Sequence, residues 1–142
     1  MRVVFDENTP RVVAHAVKLI AEAEAAGGPE PLEVLHALDL MGGAGAPDTV
    51  LVQRVAEGAP GKAALVTSDK AMRTRQHERA AYGDTGCVGI VLRGSWNHAS
   101  MWERARMTLL WWTAWRETVA AAAPGTLWQC PWHSRPGRLK PF

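Results

Sequence analysis

Short apolar runs alternate along the chain with longer stretches whose apolar residues recur at helical spacing. Arg2 to Phe5, RVVF, is β-branched and aromatic and reads as a buried strand. Thr9 suits an N-cap and Pro10 the first helical position. Val12, Val13, Ala16, Val17, Leu19, Ile20 and Ala23 then follow a helical period, which Gly27, Gly28 and Pro29 end. Leu32 to Leu38 reads as a second strand, and Gly42, Gly43 and Gly45 as a flexible loop. Pro47 and Asp48 open a second helix carrying Val50, Leu51, Val52, Val55 and Ala56. Ala63 to Thr67 is the third strand. Ser68 or Asp69 is placed to cap a third helix, polar and arginine-rich, running to about Tyr82. Gly86 to Leu92 is the fourth strand. Strands alternating with helices predict an α/β fold around a mainly parallel sheet of about four strands.

His98 to Ala123 reads as one long helix, with Met101, Trp102, Ala105, Leu109, Trp112 and Val119 at helical spacing. Trp111 and Trp115 widen its apolar face. Trp102, Trp111, Trp112 and Trp115 together offer more apolar surface than one sheet face needs, which predicts a homodimer or a partner-bound state. Pro124 and Gly125 stop the helix. The segment 126–142 holds Pro131, Pro136 and Pro141 and only basic charges, Arg135, Arg138 and Lys140. It is expected to be an extended arm with little regular structure, so the chain divides into 1–125 and 126–142.

A chain of 142 residues is the size of one domain. Its 47% hydrophobic and 21% charged residues exclude wholesale disorder and a fibre. No apolar run reaches the roughly 18 residues of a membrane-spanning helix. The opening MRVVFDENTP lacks the apolar stretch of a secretory signal. Cys87 and Cys130 stand apart, with no CxxC spacing to suggest a zinc site or disulfide scaffold, and a reducing cytoplasm is the simplest home. The net charge of +2 hides an asymmetry. Residues 1–60 carry nine acids and four bases, residues 61–142 five acids and twelve bases. An acidic front and a basic back fit a metal centre beside a phosphate-binding surface, although compositional bias gives the same imbalance.

Three aspartates share one context. Asp6 follows the first strand, Asp69 follows the third, and Asp48 follows Pro47 at the start of a helix. Ligands of an open parallel sheet bind beyond the carboxyl ends of its strands, so these side chains are expected to converge. Clustered carboxylates call for a cation, and oxygen ligands suit Mg²⁺ or Mn²⁺. A divalent ion so held generates hydroxide and clamps the oxygens of a phosphodiester. No P-loop, dinucleotide fingerprint or nucleophile elbow is present. His15, His36, His77, His98 and His133 are scattered. Arg73, Arg75 and Arg79 recur just after Asp69, either as phosphate contacts or as a solvated helix face.

The pattern resembles the PIN-like domains, the fold of VapC-type toxin ribonucleases, and especially their compact bacterial variants. Asp6-Glu7-Asn8-Thr9-Pro10 resembles the D-E-N-x-P that ends the first strand there. Gly45-Ala46-Pro47-Asp48 resembles a G-A-P-D loop, and Leu65-Val66-Thr67-Ser68-Asp69-Lys70 an L-V-T-x-D-K strand end. The likeness covers residues 1 to about 93. It implies a three-layer α/β/α domain and a Mg²⁺- or Mn²⁺-dependent endoribonuclease, the toxin of a bacterial toxin–antitoxin pair. Asp6, Asp48 and Asp69 would be the catalytic, metal-binding acids, supported by Glu7, Asn8 and Thr67, with Lys70, Arg73 and Arg75 toward the substrate. RNA, a cognate antitoxin and a second copy of the chain are the implied partners. Fuller members carry another acid, usually glutamate, on a helix before the Asp48 region. Here only Glu30 and Glu33 lie nearby, neither in a helical setting. That departure motivates a rival reading, a PIN-like binding protein without turnover. A second rival is a phosphoacceptor receiver domain, since Asp39-Leu40-Met41-Gly42 resembles its phosphorylated turn and Thr67 its switch residue. It lacks the receiver's lysine, because the last strand ends Val91-Leu92-Arg93-Gly94. If repulsion among the acids dominates, removing Asp6 is expected to leave metal-free stability unchanged or slightly improved.

Overall fold

The computed structural model describes residues 1–69 and 75–142. A six-stranded sheet in the order β2-β1-β3-β4-β5-β6 forms its middle layer. The strands are β1 (Arg2–Phe5), β2 (Glu33–His36), β3 (Ala63–Thr67), β4 (Val88–Leu92), β5 (Leu127–Cys130) and β6 (Lys140–Pro141). All neighbours run parallel except β5 and β6. The helices are α1 (Arg11–Ala25), α2 (Ala37–Met41), α3 (Asp48–Ala56), α4 (Gln76–Thr85) and α5 (Met101–Ala121).

The two-residue alternation of each strand sorts its side chains between two cores. Val3, Phe5, Ala64, Val66, Val88, Ile90 and Leu92 meet α1 and α5 on one face. Val4, Ala63 and Leu65 meet α3 and α4 on the other. β3 and β4 are buried along their whole length, as strands covered on both sides must be. The chain is therefore a three-layer α/β/α domain with a mainly parallel sheet. The same alternation directs Asp6, one residue past β1, and Asp69, two residues past β3, to the side of α3 and α4.

Several elements differ from the sequence reading, each for a local reason. Pro10, not Thr9, caps α1 and the helix starts at Arg11. The Thr9 hydroxyl is drawn instead toward Asp6. The second strand stops at His36, whose Nδ1 accepts from Leu38 N–H and caps the short helix α2. Neither Ser68 nor Asp69 caps α4, which begins at Gln76. The segment 126–142 is not devoid of regular structure. β5 adds to the open edge of β4, and β6 returns against β5. This satisfies backbone groups that an uncovered edge would leave to water.

α5 is fastened at its start by a reciprocal capping box between Ser100 and Glu103. Its tryptophans are not surplus. Trp111, Trp112 and Trp115 are buried with Trp96, and Trp115 lies between the rings of Phe5 and Trp96. Trp115 Nε1–H donates to Cys130 Sγ at 3.2 Å, and Trp111 Nε1–H to the His133 carbonyl at 2.8 Å. The chain after residue 126 thus closes over the helix. Of the four helix tryptophans only Trp102 stands in solvent, 80% exposed.

Candidate active site

Asp6 leaves β1 at the carboxyl edge of the sheet and is almost fully buried. Its Oδ2 accepts from the Thr67 hydroxyl at 2.6 Å, the Asn8 amide at 3.1 Å and the Ser68 backbone N–H at 3.2 Å. Its Oδ1 accepts from Thr9 at 3.4 Å. Asp6 is therefore the hub that ties the end of β1 to the end of β3. Thr67 Oγ1 also accepts the Asp69 N–H at 3.0 Å, so one hydroxyl orients both acids. Arg104, on α5, reaches back to the carbonyls of Asn8, Asn97 and Ala99 and holds the post-β1 loop from the far side.

Asp48 and Asp69 face each other across the top of β3, but the third acid beside them is Glu78 of α4. One carboxylate oxygen from each of the three lies within 4.8 Å of the other two. Asp6 sits behind this cluster and contributes to the repulsion felt at Asp48. The Asp48 carboxyl is pushed above its usual range, first by desolvation and then by the charges of Glu78 and Asp69. Arg75, just before α4, opposes this. Its guanidinium is 2.9 Å from Glu78, 3.4 Å from Asp69 and 3.8 Å from Asp48. These acids hold Arg75 above its ordinary value, Glu78 foremost by hydrogen bonding.

The donor set fits a divalent cation. Three carboxylates with oxygens within 4.8 Å of one another supply the hard oxygen ligands that Mg²⁺ and Mn²⁺ take. Glu78 is 5% exposed, and its Oε2 has no hydrogen-bond partner among the described residues. A buried carboxylate oxygen left so is costly unless something positive meets it.

The remaining candidates fall elsewhere. The Glu7 carboxylate accepts the Gly45 N–H at 3.0 Å and anchors the loop before Asp48, outside the three-acid cluster. Glu33 pairs with Arg2 at 2.6 Å at the opposite end of the sheet, and Glu30 lies in the exposed turn before β2. Asp39, the acid of the receiver-like turn, lies in α2 and is paired with Arg11 and with His15 at 2.7 Å. Those two partners hold its carboxyl below the ordinary range, His15 foremost. Lys70 and Arg73 lie outside the described residues. Arg75 points at the acids.

Sequence reasoning missed Glu78. It sits four residues before the buried Tyr82 and three before the buried Ala81, so it shares the inward stripe of a helix that otherwise looks solvated. That stripe was the available signal.

A family model described as a PIN like domain matches residues 1–94. No curated protein and no solved structure matches the chain significantly.

Proposed function

The chain belongs to the PIN-like domain family, and on that premise we propose that it is a Mg²⁺- or Mn²⁺-dependent endoribonuclease, the toxin of a bacterial toxin–antitoxin pair. Members of this family are commonly nucleases. The observation that carries the reading is the Asp48, Asp69 and Glu78 cluster with its buried, unpartnered Glu78 oxygen.

Asp48, Asp69 and Glu78 would hold the cation. Bound there, it would supply a water of lowered pKa and a positive charge for the phosphodiester oxygens. The protein's own part is to fix the geometry. Asp6 and Thr67 lock the ends of β1 and β3 together, so Asp69 is aimed before any ligand arrives. Glu7 restrains the loop that delivers Asp48. The basic side chains concentrated in residues 61–142 suit a polyanionic substrate.

The toxin reading implies an antitoxin or second-copy surface. Val12, Leu19 and Ile20 on α1 and Trp102 on the adjacent α5 are exposed apolar residues on one outer layer, as such a surface requires.

A non-catalytic binding role is the second reading, and Arg75 amid the acids favours it. The deciding experiment treats total RNA with purified protein in Mn²⁺, in Mg²⁺ and in chelator, beside Asp69→Asn. Metal-dependent cleavage that the variant loses supports the enzyme. RNA left intact in every metal, with binding retained, turns the assignment to the binding protein.

A further inference from the structure

We propose that Arg75 is a counter-ion built into the site: it occupies the cation's place among Asp48, Asp69 and Glu78 in the metal-free protein, and a divalent metal loads only by displacing it. This rests on the metal reading above and adds a competitor within the same chain.

The geometry is direct. One guanidinium nitrogen, Nη1, lies within 4 Å of all three carboxylates that define the cluster. Its contact with Glu78 goes to Oε1 and leaves Glu78 Oε2 without a partner among the described residues. Arg75 therefore relieves Glu78 without satisfying it, which is the balance a displaceable ligand needs.

Its backbone is fixed while its side chain is free to leave. The Arg75 carbonyl accepts from Glu78 N–H at 3.1 Å and Arg79 N–H at 3.2 Å, anchoring the residue to the first turn of α4. The side chain is 47% exposed, so the guanidinium can swing into water without disturbing the helix. Displacement by metal would leave Arg75 at the mouth of the site, where a phosphodiester arrives.

A ligand that must displace a resident group binds with its affinity reduced by the fraction of competent protein. Three partly exposed ion contacts make that penalty about tenfold. The test titrates MnCl₂ by calorimetry into the full chain as wild type, Arg75→Ala and Arg75→Gln, with thermal melts of each in chelator and in Mn²⁺. The glutamine variant keeps the side-chain length and guards against a folding failure of the alanine. Mn²⁺ affinity about tenfold tighter in both variants is expected. A lower melting temperature in chelator and a larger rise on adding Mn²⁺ should accompany it. Equal affinity in wild type and variants would overturn the proposal, as would weaker affinity, because Arg75 would then be organising the acids rather than competing for them. No Mn²⁺ binding by wild type or either variant would remove the metal reading itself.

Discussion

Replacing Asp6 with alanine tests whether this acid is a charge held against its neighbours or a hydrogen-bonded hub. Repulsion among clustered acids alone would make its removal neutral or mildly stabilising. The structure argues the opposite. Three donors converge on Oδ2, from Thr67, Asn8 and Ser68, and a longer contact from Thr9 reaches Oδ1. A hydrogen bond to a charged acceptor contributes about 1.5–3 kcal/mol, and a buried donor left unmatched costs about 1–3 kcal/mol. Thr67 and Ser68 are both buried, so at least two donors are orphaned. These effects are not additive, and relief of repulsion with Asp48 returns a part. A net loss of about 3 kcal/mol follows, or a fall in melting temperature of about 6–12 °C for a chain of this length. Asp6→Asn retains an acceptor oxygen and should lose about 1 kcal/mol. Urea unfolding in chelator, followed by tryptophan fluorescence, measures both. An Asp6→Ala protein within about 0.5 kcal/mol of wild type, or more stable than it, would refute the hub and restore the repulsion argument.

Asp48 gives a pH prediction. Its carboxyl is raised in the folded state, so its ionisation opposes folding above that raised value, and the penalty vanishes below the unfolded value of about 3.9. Metal-free wild type should gain on Asp48→Asn as pH falls from neutrality toward about 4, and parallel melts across that range would show the two converging. Cys87 and Cys130 are buried, and desolvation pushes each thiol up to about 12; both should resist a thiol-disulfide reagent in the native protein and react on unfolding, which a timed assay with and without urea reads directly. Trp115→Phe removes ring volume between Phe5 and Trp96 together with the bond to Cys130, and should cost about 2 kcal/mol, whereas the exposed Trp102→Ala should stay within about 0.5 kcal/mol in the same urea titration.

The residues that revealed themselves in the sequence did so through period and position. Val3 to Phe5 and Ala63 to Val66 are apolar because both faces of their strands are covered, and the polar residues that follow such a run lie at the sheet's edge. That is why Asp6 and Asp69 were legible, and Asp48 after its proline. The helix α2 was not, since five residues are too few to display a 3.6 period and its cap is a histidine. β5 escaped notice because LWQC is short and followed by proline; pairing with β4, not propensity, makes it a strand. The tryptophans advertised an interface, yet most are consumed by the core that the chain after residue 126 closes. Glu78 was hidden by its company. Among arginines on a polar helix its charge looks solvated, and only the Glu78–Ala81–Tyr82 stripe marks it as turned inward.

Asp48, Asp69 and Glu78 would together form a seat for one divalent cation. Electron paramagnetic resonance of free Mn²⁺, titrated with the metal-free protein, tests it most directly because bound ion leaves the free signal. Wild type should remove one Mn²⁺ per chain, and a Glu78→Gln, Asp69→Asn double variant with an unchanged far-ultraviolet spectrum should remove none. Equal uptake by wild type and double variant would contradict the assignment of these carboxylates as the ligands.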